Sequence, residues 1–121
     1  MADDDDTIEE TAVEVTGSKR RLSTVIENNL LRIGQEAITN ALKHARPKHI
    51  TVKLDFDKNT LSLAVVDDGC GFNPINPRPS AGGFGLVGMK ERAAELNSEL
   101  KVHSSPNCGT EVQVTVSIPP Q

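Results

Sequence analysis

The hydrophobic periodicity of this chain changes at Pro47, and that change restricts the fold more than any other feature. Before Pro47, apolar residues recur at steps of three and four, which predicts one buried face of a long helix. These residues are Leu22, Ile26, Leu30, Ile33, Ala37, Ala41 and Leu42. Ser23 or Thr24 is suited to cap the start of the helix. Pro47 ends it, because the residue before a proline avoids the helical conformation.

Beyond Pro47 the period falls to two, which is typical of strands. Residues 50–56 and 61–65 alternate between apolar and polar side chains on either side of a turn, and this predicts an antiparallel pair. The other predicted elements are a strand at 12–16, a helix at 84–96, and strands around 100–102 and 112–118. The order favours the α+β class, as a two-layer sandwich whose mixed, mostly antiparallel sheet is covered on one face by helices.

The length and composition predict one soluble domain. A chain of 121 residues is long enough for a single core. The net charge of -4 and the absence of Trp and Tyr argue against nucleic-acid binding, which needs basic surfaces or stacking rings. We assign residues 1–11 to a disordered acidic tail and residues 12–119 to the domain.

Several further features favour a cytoplasmic protein. No apolar run is long enough to span a membrane, so no direct membrane contact is expected. The acidic N-terminus lacks the basic and apolar segments of a signal peptide. The two cysteines have neither metal-binding nor redox spacing, and free thiols are expected of a reducing compartment.

A line of polar residues runs beside the apolar stripe of the first helix. Glu36, Asn40 and His44 are four residues apart and therefore lie on one side of it. An Asn oxygen suits Mg²⁺, and a carboxylate one turn away can take a proton or orient a nucleophile. Lys43 offers a positive charge for phosphate. Taken alone, however, the pattern is better explained by a solvated helix face.

An acidic, glycine-rich turn follows the second strand of the antiparallel pair. Asp67 ends that strand, and Gly69 and Gly71 allow a ligand to approach the backbone closely. A desolvated carboxylate can accept a hydrogen bond from an exocyclic amine such as that of adenine, and this gives strong selectivity. An ordinary turn that uses Asp and Gly for its geometry explains this block equally well.

The third block, residues 83–88, matches the pattern G-x-G-x-x-G at the start of the second helix. Helix N-termini favour phosphate. A dinucleotide site would need a strand directly before the glycines, whereas residues 73–83 form a proline- and glycine-rich loop. The dinucleotide interpretation is therefore rejected, and the glycines serve either as a phosphate-facing turn or as a hinge.

In this order the three blocks resemble the ATP-binding catalytic domain of bacterial sensor histidine kinases. That family belongs to the GHKL superfamily, which includes gyrase-type ATPases. The resemblance is carried by Gln35-Glu36-Ala37, Gly88-Met89-Lys90-Glu91-Arg92 and Gly109-Thr110, and it covers roughly residues 12–119. It implies a Bergerat fold that holds ATP between the helices and the sheet.

The resemblance also implies roles for individual residues. Asn40, with Glu36, would hold Mg²⁺, and Glu36 would act as general base or orient the accepting histidine. Asp67 would bind the adenine amino group. The other ATP-binding residues that it implies are Lys43 and His44 near the phosphates, Gly69 and Gly71 at the base, Gly83, Gly85, Leu86 and Gly88 at the lid hinge and phosphate-facing turn, and Thr110 at the adenine end.

Two positions depart from the family pattern. Asn97 stands where a glycine often ends the second helix, and Asn can adopt the same left-handed cap. Phe84 replaces a residue that is commonly His, which removes any polar role there.

The resemblance also implies that residues 73–83 would form a short ATP lid.

The expected function is transfer of the γ-phosphoryl group of ATP to a histidine outside this chain, because no helix with a phosphoacceptor histidine precedes the domain. The expected partners are a separate phosphoacceptor histidine domain and a response regulator. We expect the domain to be a monomer in isolation and to be cytoplasmic, either in a soluble protein or as the cytoplasmic portion of a membrane-bound sensor. The alternatives are a GHKL serine kinase of the anti-sigma-factor type, a simple ATPase, and a non-catalytic nucleotide-binding module.

Overall fold

The structure, a computed structural model, describes residues 10–70, 86–104 and 108–119. Two helices lie in these ranges, α1 (Thr24–Asn40) and α2 (Leu86–Glu95), and a π-helical segment, Ala41–Ala45, extends α1. The strands are β1 (Glu10–Gly17), β2 (His49–Phe56), β3 (Thr60–Asp67), β4 (Leu100–Ser104) and β5 (Thr110–Ser117).

The five strands form one mixed sheet in the order β1-β2-β3-β5-β4. The pairing of β1 with β2 is parallel, and the other three pairings are antiparallel. Both helices pack on one face of this sheet, where the buried apolar side chains form a single core. The predicted α+β class, with a mostly antiparallel sheet covered on one face, is confirmed.

The two faces of the sheet differ in chemistry because side chains alternate along each strand. On the helix face, Leu61, Leu63 and Val65 of β3 are buried. On the opposite face β3 presents Ser62, Ala64 and Val66, and the hydroxyls of Ser62 and Thr115 lie 2.8 Å apart there. Within the described ranges, the helices pack only on the face that carries Leu61, Leu63 and Val65.

The start of α1 follows the predicted pattern. The Ser23 hydroxyl accepts a hydrogen bond from the backbone N–H of Ile26 (3.2 Å), which confirms the predicted N-cap. One member of the predicted apolar stripe, Leu42, is wrong, since its side chain is 51% exposed. Its neighbour Ala41, also predicted in the stripe, is in the core, and the helix has π geometry from Ala41 to Ala45.

The end of α2 confirms the predicted left-handed cap. Asn97 has a φ of 55°, and the N–H of Ser98 donates to the carbonyl of Ala93 (2.9 Å). Asparagine replaces glycine here because it tolerates the left-handed conformation better than most residues do.

The connections bring several chain segments to one end of the sheet. Since β2 and β3 are antiparallel, the start of β2, which follows α1, lies beside the end of β3. The start of β5 and the end of β4 lie at the same end. The C-terminus of α2 leads into β4 at the opposite end, so the N-terminus of α2 also points to this end. We call it the upper end of the sheet.

The opposite, lower end is held together by Arg20. Its guanidinium donates hydrogen bonds to the carbonyls of Asp57 (2.7 Å), Lys58 (2.9 Å) and Pro119 (3.0 Å). One side chain thereby joins the segment before α1, the turn between β2 and β3, and the residues that follow β5. Neither helix in the described part of the chain has the length and apolar character that a membrane span requires.

Arg20→Ala is expected to lower the free energy of unfolding by about 1.5–3 kcal/mol, because hydrogen bonds to a charged donor contribute in that range. Arg20→Lys should recover only part of the loss, since an ammonium group cannot bridge three carbonyls in the planar geometry of a guanidinium. Urea denaturation measures the change. Arg21→Ala, at the exposed neighbouring position, is the control; an equal loss there would refute the assignment.

Candidate functional site

Asp67 is a buried carboxylate at the upper end of β3, with 8% of its surface exposed. In the sheet it lies between Ile50 of β2 and Thr110 of β5. Its Oδ1 accepts a hydrogen bond from the N–H of Gly69 (2.8 Å). The strand ladder thus orients the side chain, and the turn that follows supplies one N–H partner.

Burial dominates the titration of Asp67. Desolvation raises its pKa above the usual 3.8, the N–H of Gly69 lowers it, and the neighbouring charge of Asp68 raises it, with a net upward shift. Because the pKa is higher in the folded than in the unfolded chain, ionisation of Asp67 reduces stability as the pH rises through this range. A buried carboxylate whose ionisation lowers the stability of the fold is a candidate for ligand binding.

Thr110 adjoins Asp67 and belongs to a small hydroxyl network. The Ser104 hydroxyl donates to the carbonyl of Gly109 (3.0 Å), and its oxygen lies 2.8 Å from the Thr110 hydroxyl. Because a hydroxyl has one proton, Thr110 is then the donor to Ser104. The lone pairs of the Thr110 oxygen are left to accept a hydrogen bond from water or a ligand.

Gly109 packs directly against the backbone of Asp67. A Cβ added at Gly109 would lie 2.4 Å from the Asp67 carbonyl oxygen, and the glycine has a φ of +78°. No other residue type fits both the space and the backbone conformation. Gly109 therefore sets how closely the start of β5 approaches the end of β3.

A cleft of about 530 Å³ opens beside these residues at the upper end of the sheet. Its lining comes from residues 66–67, 102–104 and 108–111, with Asp67 and Thr110 on the helix side of the sheet and Val66, His103 and Glu111 on the opposite side. Cys108 and Cys70 are exposed thiols that are not joined in a disulfide, as expected from the sequence. The volume lies in the range of small-molecule sites.

The polar line of α1 reaches the same end of the molecule. Glu36 and Lys43 are exposed and Asn40 is half-buried, whereas Ala37 and Ala41 beside them are in the core. The π-helical segment begins directly after Asn40 and carries Lys43. Such segments occur frequently at functional sites.

The donor set on α1 fits Mg²⁺ bound together with phosphate. In the described ranges, no three His, Cys, Asp or Glu side chains cluster as a metal cage would need. Glu36 and Asn40 offer one carboxylate and one amide oxygen. Mg²⁺ is commonly held in this way, by one or two protein oxygens plus waters and substrate phosphates.

The described part of the third block begins with α2. Leu86 is buried in the core with 7% exposed, so its predicted contact with ATP stays a prediction. A Cβ added at Gly88 would meet no atom of the described residues within 4 Å, so none of them blocks approach to the helix at that position. The predicted residues Gly71, Gly83 and Gly85, the predicted lid at 73–83 and the side chain of His44 lie outside the described residues.

Comparison with known protein families identifies the family of this chain. Residues 25–120 match the model of the histidine kinase-, DNA gyrase B- and HSP90-like ATPases. The chain belongs to this ATPase family. The resemblance inferred from the three blocks is therefore confirmed.

Relatives of this ATPase domain include signalling kinases. The chain is 36% identical over 102 residues to the signal transduction histidine-protein kinase/phosphatase DegS of Brevibacillus brevis, covering 84% of this chain and 26% of that protein. It is 37% identical to the sensor histidine kinase LiaS of Bacillus subtilis, covering 83% of this chain and 27% of that protein. The chain thus spans about a quarter of the length of these curated relatives.

Solved structures share the fold of this ATPase domain. The histidine kinase domain of the Erythrobacter litoralis EL346 blue-light activated kinase superposes with a TM-score of 0.68 at 24% identity, over 92% of this chain and 56% of that chain. The mycobacterial sensor histidine kinase MprB superposes with a TM-score of 0.66 at 21% identity, over 93% and 83%.

Sequence reasoning missed two features of the site. Ser104 has no predicted role, although its hydroxyl orients Thr110. Asp68 belongs to the predicted acidic turn, although its carboxylate binds the N–H groups of Lys48 and His49 at the start of β2. Its desolvation acts to raise its pKa, but hydrogen bonds from His49 and Lys48 outweigh this and lower the pKa below 3.8. The doubled acid at positions 67 and 68 was the available signal.

Two glycine substitutions are expected to have opposite effects on stability. Gly109→Ala should lower the free energy of unfolding by at least about 1–2 kcal/mol, the cost of a left-handed conformation, with the close contact to Asp67 adding to it. Gly88→Ala should raise it by about 0.5–1 kcal/mol, because Ala favours the helix and has space there. Thermal and urea unfolding measure both. A destabilised Gly88→Ala or a neutral Gly109→Ala would contradict the geometry.

Proposed function

We propose that this domain binds Mg²⁺-ATP at the upper end of the sheet and transfers the γ-phosphoryl group to a histidine on a separate phosphoacceptor domain. The observation that carries the proposal is the buried, desolvated Asp67 beside Thr110 in an open cleft. The phosphoacceptor domain and a response regulator are its proposed partners, and its use of ATP fits a cytoplasmic location.

Asp67 and Thr110 recognise the base in this proposal. The ionised carboxylate of Asp67 accepts a hydrogen bond from the exocyclic amine of adenine, and Thr110 accepts or relays one through water. Guanine presents a carbonyl oxygen at the matching position, so it would face the carboxylate lone pairs. Because Asp67 is desolvated, a base without the amine leaves it unpaired, which makes discrimination strong.

The phosphates lie towards α1 and the N-terminus of α2. Lys43 supplies a positive charge, Gly88 leaves the helix backbone open, and the first N–H groups of the helix favour an anion. Asn40 and Glu36 would hold Mg²⁺, which neutralises charge on the phosphates when it is bound. Glu36 also orients or deprotonates the accepting imidazole, since a carboxylate within reach can act as a general base.

The base assignment is tested with Asp67→Asn. Affinity for a non-hydrolysable ATP analogue should fall by about 10- to 150-fold, the equivalent of about 1.5–3 kcal/mol for a hydrogen bond to a charged group. The midpoint of unfolding at neutral pH should stay the same or rise, because the desolvated charge is removed. Calorimetry and thermal unfolding provide the two measurements.

The control for this variant is Asp57→Asn, an exposed aspartate at the lower end of the sheet. It should bind the analogue like the wild type. Wild-type affinity in Asp67→Asn would exclude Asp67 as the base-recognition residue. Loss of affinity accompanied by unfolding would contradict the expected separation of stability and binding.

Phosphotransfer is tested with a histidine-bearing phosphoacceptor domain added in trans. The wild type should give an acid-labile phosphoprotein. Glu36→Gln should slow transfer by about 100-fold or more while keeping most of the analogue affinity, because it removes a base but preserves shape. An acid-stable product would indicate a serine kinase, and released phosphate without phosphoprotein an ATPase. Nucleotide binding with neither product would indicate a non-catalytic module.

A further inference from the structure

One carboxylate joins the start of β2 to the turn after β3. Asp68 Oδ1 accepts hydrogen bonds from the N–H groups of Lys48 (2.8 Å) and His49 (2.9 Å). Its Oδ2 lies 2.6 Å from Nδ1 of His49, and its own N–H donates to the His49 carbonyl (3.3 Å). These four bonds connect segments that are 19–20 residues apart in sequence.

The strand ladder does not hold these segments together by itself. Between β2 and β3 the ladder ends with the pair Ile50 and Asp67. Residues 48 and 49 lie beyond that pair. Their N–H groups bind the carboxylate of Asp68 instead of a backbone carbonyl of β3. On the other side, the N–H of Glu10 in β1 donates to the Lys48 carbonyl (3.0 Å). The side chain of Asp68 therefore links the two segments.

Each linked segment continues into a different part of the proposed nucleotide site. Asp68 follows Asp67, the proposed base acceptor. Lys48 follows the π-helical segment by way of Arg46, in a left-handed conformation (φ 48°), and Pro47, which is buried. Because the proline ring fixes φ at residue 47, fewer backbone rotations between residue 48 and the end of the helix can absorb a displacement of one relative to the other.

We propose that Asp68 is a positioning residue that fixes the separation between the base-binding carboxylate of Asp67 and the helix that carries Asn40 and Lys43. This inference rests on the proposed function, because it concerns how one nucleotide reaches both groups. It adds to that function a residue that touches neither the base nor the phosphates.

The physical reason is the gain from binding one ligand at two points. Once the base is bound, the phosphates meet the helix at a high effective concentration, provided that the separation of the two sites matches the nucleotide. If that separation varies, the phosphates contribute less to affinity while the base contact is unaffected. Loss of Asp68 should therefore weaken ATP more than a nucleotide with a single phosphate.

The test compares Asp68→Ala with the wild type, using AMP and a non-hydrolysable ATP analogue with Mg²⁺. Competition against a fluorescent ATP analogue gives both affinities well below the unfolding temperature. We expect about a tenfold loss for the ATP analogue and less than about threefold for AMP, so the preference for the triphosphate falls. Asp68→Asn keeps an oxygen that can accept from both N–H groups and should restore most of the preference.

The control is Asp55→Ala, which removes a β2 carboxylate that accepts a hydrogen bond from the Thr16 hydroxyl (2.8 Å) on the exposed face. It should change neither affinity. Equal losses for both ligands, or no loss, in folded Asp68→Ala overturn the inference. A merely structural role lowers the unfolding temperature without changing the ratio of the two affinities.

If Asp68→Ala fails to fold, His49→Ala decides the question, because it removes the bond to Oδ2 and keeps both N–H bonds to Oδ1. A selective loss for the ATP analogue supports the inference, and an unchanged ratio overturns it. Failure of the wild type to bind the ATP analogue refutes the proposed function itself. Wild-type binding combined with an unchanged ratio in the variants refutes only the role of Asp68.

Discussion

The burial of an ionisable carboxylate at the end of a central strand is the constraint on which the rest of this site depends. Asp67 is desolvated, so its charge is unfavourable in the folded state, and the surrounding backbone must hold it there. It does so from three sides: β2 and β5 flank the strand, the N–H of Gly69 binds the carboxylate, and Gly109 packs against its carbonyl oxygen. A ligand that donates to this carboxylate would offset the cost of its burial.

The topology explains why groups so distant in sequence meet around that carboxylate. A strand inside an antiparallel sheet ends beside the starts of both its neighbours, here β2 and β5. The chain enters β2 from α1 and returns to β4 from α2, so the C-terminus of α1 and the N-terminus of α2 point to the same end. The covered face of the sheet carries the apolar core, and its upper edge carries the proposed site.

Features governed by neighbours along the chain were predictable from the sequence. The Ser23 cap, the antiparallel pair β2–β3 and the left-handed Asn97 each depend on a few adjacent residues. Leu42 was predicted wrongly, because it follows Ala41 by about 100° around the helix and so lies outside the stripe that Leu30, Ile33, Ala37 and Ala41 form. The pairing of Ser104 with Thr110 and of Asp68 with residues 48 and 49 arises between strands or segments, and periodicity carries no information about such contacts.

The sequence alone determined the order of elements, the buried face of α1 and the types of functional group available to a site, namely a carboxylate, an amide and glycines at turns. Hydrophobic period and helix capping depend on residues that are close together in the sequence, so the elements and their buried faces could be predicted from the sequence. Only the tertiary structure decided which of those groups act together. Desolvation of Asp67, the close approach of Gly109 and the bonds made by Asp68 all require segments that are far apart in sequence to pack against one another. The strength of each interaction depends on the surroundings that this packing creates.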